Sequence, residues 1–378
     1  MPGILDRYIL QMFVKVLAIT FVSMSGLFVV IHGMANVEEF ITYASEDGVW
    51  VVFEFYGPQV LAFFDRTGPM IVLLSAIFAL TTLMRTNELV AIMAAGISKG
   101  RVIQPLLIAA AVVSLVGVLN REWWIPAVRD QLMRTAQDWR GTQTKSLRPI
   151  YDYRTDIFLG GRQTIAAERK IVAAHFRLPS TPQVQDFGHQ IIAESATYLD
   201  RDEQHPAGYL LDKVTVPSSL MTIPSASIQD APTILSPADH AWLTREQCFV
   251  VSDVTFEQLA GGSQYRHLAS SRELIASLRN PSLDLGAESR VMVHARLVQP
   301  LLDMTLFVLG LPLVLKRDQR NVFVAAGLCV GLVAVFFITV LICHGLGANY
   351  LISPALGAWL PLLIFAPAAY TAAVPLWK

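Results

Sequence analysis

The chain has 378 residues, of which 53% are hydrophobic and 16% charged, with a formal net charge of -1. That balance excludes the basic footprint of a nucleic-acid binder and the acidic tail of a solvating segment. Three cysteines are too few for a disulfide framework, and no C-x-x-C or His/Cys cluster suggests a metal site.

In chain order, Ile4, Leu5, Tyr8, Ile9, Met12 and Phe13 recur at helical spacing with Asp6, Arg7 and Gln11 between them. This pattern reads either as a helix lying in the membrane interface or as the start of the first span. Lys15 can snorkel to the headgroups. A spanning helix needs about 20 predominantly apolar residues. Six stretches qualify: 16–35, 67–84, 102–120, 297–315, 322–343 and 354–370. The first is longer than a signal-peptide core and no A-x-A site follows, so it reads as a retained helix.

Short flanks set the orientation. Arg7 precedes the first stretch, Arg85, Lys99 and Arg101 join the second to the third, and Lys316, Arg317 and Arg320 join the fourth to the fifth, with Lys378 at the end. The opposite connections, 36–58 and 344–353, carry no Lys or Arg. Both termini are therefore expected in the cytoplasm and residues 121–296 outside. That region changes character: "DIFLGGRQTIAAERKIVAAHFRL", "QIIAESATYLD" and "GYLLDKVTV" are β-type runs broken by Pro, Gly and Asp, which predicts a mostly antiparallel β domain. Residues 216–240, rich in Pro and Ser, read as loop. "SSRELIASLRNP" reads as a helix capped by Ser270 or Ser271, with Leu274, Ile275 and Leu278 as its apolar stripe and Pro281 as its stop. The domains expected are thus 1–120, 121–296 and 297–378.

Charges near the spans are the first site candidates. Asp303 falls about two turns into the fourth stretch, on the helical face of Arg296, and an intramembrane carboxylate marks a polar site or a buried ion pair. Asp65 and Arg66 lie at the outer start of the second stretch. No G-x-x-x-x-G-K-[ST], H-E-x-x-H or G-x-S-x-G occurs. Any ATP-driven work must borrow its ATPase, no catalytic residue is assigned, and the chain is expected to carry no cofactor.

The cytoplasmic connection "RTNELVAIMAAGISKGR" carries a pattern of its own. Thr86 or Asn87 can accept from the first free amides of a helix, and Glu88 complements its dipole. Leu89, Val90, Ile92 and Met93 supply about two turns of apolar surface, Gly96 is a C-terminal stop, and Ser98 can cap the third span. The segment 86–97 is therefore expected as a short surface helix, either turning the chain or docking a soluble partner.

Together "LDRYIL", "GPMIVLLSAIFALTTLMRTNELVAIMAAGIS", "REWWIPAVRDQL", "IIAESATYLD", "GYLLDKV", "SSRELI" and "HARLVQPLLDMTLFVLGLPL" make the chain resemble the LptF/LptG permeases of the lipopolysaccharide-export ABC transporter. "LDRYIL" and "REWWIP" resemble the LptG half more. The resemblance implies a polytopic α-helical protein with six transmembrane helices, three before and three after an inserted periplasmic β-jellyroll-like domain. It implies the inner membrane of a diderm bacterium and a permease subunit, not an enzyme, that extracts lipopolysaccharide or a related large lipid and passes it to a periplasmic bridge.

The partners implied are an LptB-like cytoplasmic ATPase dimer, a second LptF/LptG-like permease and LptC/LptA-like bridge proteins. The coupling residues implied are Asn87, Glu88, Leu89, Ile92, Met93 and Gly96, with Glu88 in the ATPase contact. Family members of the LptG type carry lysines at the outer end of the first span, whereas this chain has His32, Glu38 and Glu39 there. His32 and Arg66 are left as candidates for the lipid rim. The alternative function is a membrane subunit that transmits force to a periplasmic partner without carrying lipid.

Overall fold

The computed structural model describes residues 3–48, 50–135, 144–166, 168–203, 205–228, 231–315 and 322–376. Lys316, Arg317, Arg320 and Lys378, on which the orientation argument partly rests, lie outside these described residues. The chain divides into two compact units, Met1–Val128 with Gly286–Lys378, and Arg129–Leu285. The divisions fall later than residue 120 and earlier than 296 because the flanking turns are continuous with the long helices.

The first unit begins with α1 (Ile4–Ala35), α2 (Val37–Asp47), α3 (Trp50–Arg85), α4 (Glu88–Ala94) and α5 (Lys99–Leu119). A π-helical turn (Asn120–Trp124) leads from α5 into α6 (Ile125–Ala127). Among the described residues six helices are long and apolar enough to cross a membrane. Thus the opening amphipathic segment is the start of α1 and not a separate interfacial helix. At about 1.5 Å per residue the 32 residues of α1 exceed about 30 Å of hydrocarbon, so the helix is longer than such a layer is thick.

The second span also starts earlier than its apolar core suggests. Residues 36–58 read as an outer connection and Asp65 and Arg66 as the outer start of the span, yet α3 runs unbroken from Trp50 through Pro58 and Pro69. Proline is tolerated in spanning helices because neighbouring groups re-satisfy the freed carbonyls. Asp65 and Arg66 consequently sit in mid-helix.

The core of this unit gathers Ile9 and Phe13 of α1, Leu73, Ala76 and Leu80 of α3, and Ile103 and Leu106 of α5. The outward faces of α1, including Val22 and Ile31, remain exposed and apolar, as a lipid-facing surface requires.

Among the described residues of the second unit a short α7 (Arg129–Leu132) precedes ten strands: β1 (Lys145–Ser146), β2 (Ile150–Asp152), β3 (Ile157–Gly160), β4 (Gln163–Ile165), β5 (Lys170–Arg177), β6 (Gln190–Leu199), β7 (Gly208–Val216), β8 (Ala226–Ile228), β9 (Ala231–Leu235) and β10 (Cys248–Val251). They form one antiparallel sheet in the order β1-β4-β5-β6-β7-β10-β9-β8, with β3 joining β2 to β5. This arrangement is compatible with a jellyroll.

Alternation along the later half of β5 and the start of β6 places Ala174, Phe176, Ile191 and Ala193 on the buried face, and left-handed Ala173 interrupts it so that Ile171 is buried as well. Phe187, Tyr198 and Tyr209 fill the same core, and Tyr209 Oη donates to the Val254 carbonyl at 3.0 Å. Residues 216–240, expected as loop, contain β8 and β9. Pro and Ser in this stretch read as turn residues, yet Thr233, Ile234 and Leu235 are buried as a strand core, and the flanking serines fasten it over long range: the Ser236 amide donates to Ser225 Oγ at 3.0 Å and Ser236 Oγ to the Leu220 carbonyl at 2.9 Å.

The unit closes with α8 (Phe256–Leu268) and α9 (Ser271–Arg279). Ser270 caps α9: its Oγ accepts from the Glu273 amide at 3.3 Å, and its own amide donates to Glu273 at 2.7 Å. Leu274 is buried on the α9 stripe, whereas Ile275 is exposed.

Three helices complete the first unit: α10 (Gly286–Leu315), α11 (Val322–Ala348) and α12 (Pro354–Ala373). The fourth apolar stretch is the later part of α10, so Asp303 lies in mid-helix and not two turns from its start. α11 and α12 approach closely where Gly347 meets Gly357; a Cβ on Gly357 would lie 2.8 Å from the Gly347 Cα. That crossing is the small-residue packing that membrane helices use.

Candidate functional site

The segment between α3 and α5 folds as a seven-residue helix, α4, held at both ends by left-handed residues: Asn87 at φ 60° and Gly96 at φ 82°. Neither Thr86 nor Asn87 caps it. Thr86 Oγ1 donates back to the Thr82 carbonyl at 3.0 Å, finishing α3, and Asn87 makes no side-chain cap bond. Asn87 instead reverses the chain, which asparagine tolerates better than most residues.

The other end behaves as the sequence suggests. The Gly96 amide donates to the Met93 carbonyl at 3.0 Å and the Ile97 amide to the Ile92 carbonyl at 3.3 Å, a Schellman stop that satisfies the last carbonyls. Ser98 occupies the cap position of α5 without a side-chain cap bond.

The faces of α4 divide the expected coupling residues. Leu89 is 5% exposed and belongs to the core of the unit, and Ile92 and Met93 pack half-buried against it. These three follow the i, i+3, i+4 rule and anchor the helix inward. The outward face carries Val90, 57% exposed, with Ala91, Ala94, Ala95 and Gly96. Only their apolar character groups Leu89, Ile92 and Met93 with a docking surface, and helical periodicity separates them from Val90.

Glu88 is engaged within the chain. Tyr8 Oη of α1 donates to Glu88 Oε2 at 2.8 Å. Two residues earlier, Asp6 Oδ2 accepts from the Gly3 amide at 2.9 Å and from Arg101 Nη2 at 2.8 Å. Tyr8 and Asp6 are not legible as site residues from the sequence. Tyr8 reads there as one of the apolar recurrence, and Asp6 only as a polar residue between its members.

Asp303 belongs to a different place. It lines a cavity of about 40 Å³ between α3, α5 and α10, together with Phe64, Asp65, Ser114, Arg121 and Gln299. Gln299 Nε2 donates to Asp303 Oδ1 at 2.7 Å and Ser114 Oγ to Oδ2 at 3.3 Å. Arg296, expected as its partner, does not line this cavity. Two turns of helix separate the two residues, and Arg296 Nη2 lies 4.0 Å from Met292 Sδ. The ion pair here is Arg121 with Asp65 at 2.9 Å, which fastens the π-helical turn to α3. Asn120, fully buried, adds a hydrogen bond from Nδ2 to the Leu61 carbonyl at 3.0 Å.

The two rim candidates also part company. His32 Nδ1 lies 3.0 Å from Tyr56 Oη, within a group of rings that includes Phe28 and Phe55. It joins α1 to α3. Arg66 is exposed and has no ion-pair partner among the described residues. No group of three or more His, Cys, Asp or Glu residues able to hold a metal occurs among the described residues.

The family model described as lipopolysaccharide export system permease LptF/LptG matches residues 7–373, nearly the whole chain, without distinguishing LptF from LptG. No curated protein matches.

Proposed function

This chain belongs to the lipopolysaccharide export system permease LptF/LptG family, and we propose that α4 is the helix through which a separate ATPase drives it. It is a membrane subunit of lipopolysaccharide export at the inner membrane. In the proposed topology both termini and α4 face the cytoplasm, and the sheet unit is periplasmic.

The observation that carries the reading is the two-sidedness of α4. Leu89, Ile92 and Met93 fix it to the core, while Val90, Ala91 and Ala94 offer a small-residue surface. A surface without long side chains admits close approach by a partner's cleft. An LptB-like ATPase dimer is the proposed occupant, a second LptF/LptG-like permease the proposed neighbour, and LptC/LptA-like bridge proteins the proposed acceptors. ATP-driven closure of the ATPase would displace α4, narrow a cavity bounded by the first and fifth spans, α1 and α11, and move lipid toward the sheet unit.

The test is a purified complex of this chain with its ATPase and partner permease in vesicles. Val90→Asp should abolish ATPase retention and ATP-dependent release of lipopolysaccharide, with the chain still folded. Full retention and release in that variant would overturn the reading.

One observation favours a second reading, in which force is transmitted without lipid passing through this chain. The sheet's inner face is filled by Phe176, Phe187, Tyr198 and Tyr209. Lipid-to-sheet photocrosslinking during turnover separates the two.

A further inference from the structure

Polar contacts from the first two turns of α1 reach the start of α4 and the first turn of α5 that follows it. Tyr8 holds Glu88, the first residue of α4, at 2.8 Å. Asp6 holds Arg101, in the first turn of α5, at 2.8 Å. Between these two points the chain runs through α4 and the left-handed Gly96. Beneath them, Ile9 and Phe13 are fully buried in the cluster that holds Leu89 and Ile103. The Asp6 carboxylate is 13% exposed and is further oriented by the Gly3 amide. Its partner Arg101 is 47% exposed and Tyr8 is 44% exposed, so these are surface contacts whose worth lies in where they fasten α1 and not in a large stabilisation.

Only 6% of the most apolar window of α1 is buried within the chain, and its later turns meet α3 through Phe21, Phe28 and His32. A displacement applied at its start is therefore passed along a continuous helix that packs on α3. We propose that Tyr8 and Asp6 are positioning residues that strap α1 to the start of α4 and to the first turn of α5 beyond it, so that a displacement of the docking helix is carried into the first span. This rests on α4 being the docking helix. The strap assigns Glu88 a partner inside its own chain, so a charge reversal at Glu88 disturbs two things at once, whereas Tyr8→Phe removes one hydroxyl and leaves the outward face of α4 untouched.

The experiment uses the full complex with its ATPase and partner permease in vesicles, reading ATPase retention, ATP hydrolysis and lipopolysaccharide released per ATP. Tyr8→Phe and Asp6→Asn should each keep the ATPase bound and hydrolysing, and lower release per ATP by roughly three- to tenfold, the range one hydrogen bond's net contribution spans. The exchanged pair, Asp6→Arg with Arg101→Asp, should recover part of what Asp6→Arg alone loses.

Unchanged release per ATP in the Tyr8→Phe, Asp6→Asn double variant overturns the strap. So does loss of the bound ATPase from that variant, because the two residues would then serve docking and not transmission. Failure of the docking reading shows separately, as retained ATPase and release in Val90→Asp.

Discussion

Arg121 Nε lies 2.9 Å from Asp65 Oδ1, joining the π-helical turn after α5 to the middle of α3. Both side chains are about one-fifth exposed, at 22% and 21%. Asp303 and Gln299 of α10 line the same cavity. Three helices of the membrane unit are thus tied by side-chain hydrogen bonds where the surroundings offer little water.

Removing one partner of that pair leaves the other charge without its counterpart. Arg121→Ala or Asp65→Ala should each cost about 1.5–3 kcal/mol, as for hydrogen bonds to charged groups. The double variant should cost less than the sum of the two. Thermal unfolding of the chain in detergent reads this, and strictly additive losses would show that the pair contributes nothing.

The α11–α12 crossing gives a steric prediction. At Gly357 a Cβ would lie 2.8 Å from the Gly347 Cα and 2.9 Å from the Cys343 carbonyl oxygen, both backbone atoms that cannot step aside. Gly357→Val should lower stability by about 1–3 kcal/mol, the usual cost of overpacking. A Cβ on Gly327 would meet nothing within 4 Å, so Gly327→Ala should change the melting temperature little. Equal melting temperatures for Gly357→Val and Gly327→Ala would contradict the close approach.

Glu273 makes the sheet unit acid-sensitive. Burial opposes its ionisation, but the Ser270 amide, the Arg129 charge and the Ser270 hydroxyl outweigh it and hold the carboxyl below its ordinary value of 4.5. A folded value below the unfolded one stabilises the fold above that ordinary value, and the contribution disappears as pH falls through the lowered value. Glu273→Gln should therefore be less stable than the parent at neutral pH and should lose less on acidification below pH 4.5. Proteolysis of the sheet unit across pH measures it, and identical acid slopes would remove Glu273 from the explanation.

Cys248 has no exposed surface, and burial pushes its thiol up to about 12. Thiol reactivity follows the thiolate and access to it. In the folded chain a maleimide at neutral pH should leave Cys248 unmodified, with labelling by mass spectrometry appearing only on denaturation. Rapid labelling under native conditions would mean that β10 opens readily.

The spans and the order of the two units are legible in the amino-acid sequence, since an apolar run of about 20 residues has few other uses and alternating runs such as "QIIAESATYLD" have few as well. Helix starts are less legible. Pro58 and the Asp65–Arg66 pair resemble loop signals, and only neighbouring helices that satisfy such groups allow α3 to run through them. Pro and Ser mask β8 and β9 for a related reason, because these residues read as turn formers until the pairing strand is seen.

Six apolar stretches, an inserted antiparallel sheet, a short helix ended by Gly96 and the lack of a P-loop motif follow from residue order alone, because they depend on local periodicity and residue type. Only the tertiary structure decided which way α4 faces, that Glu88 is held by Tyr8 eighty residues away, and that Arg121, not Arg296, supplies the charge beside the Asp303 cavity. Such pairings depend on which helices become neighbours, and an apolar stripe states that a helix packs without stating against what.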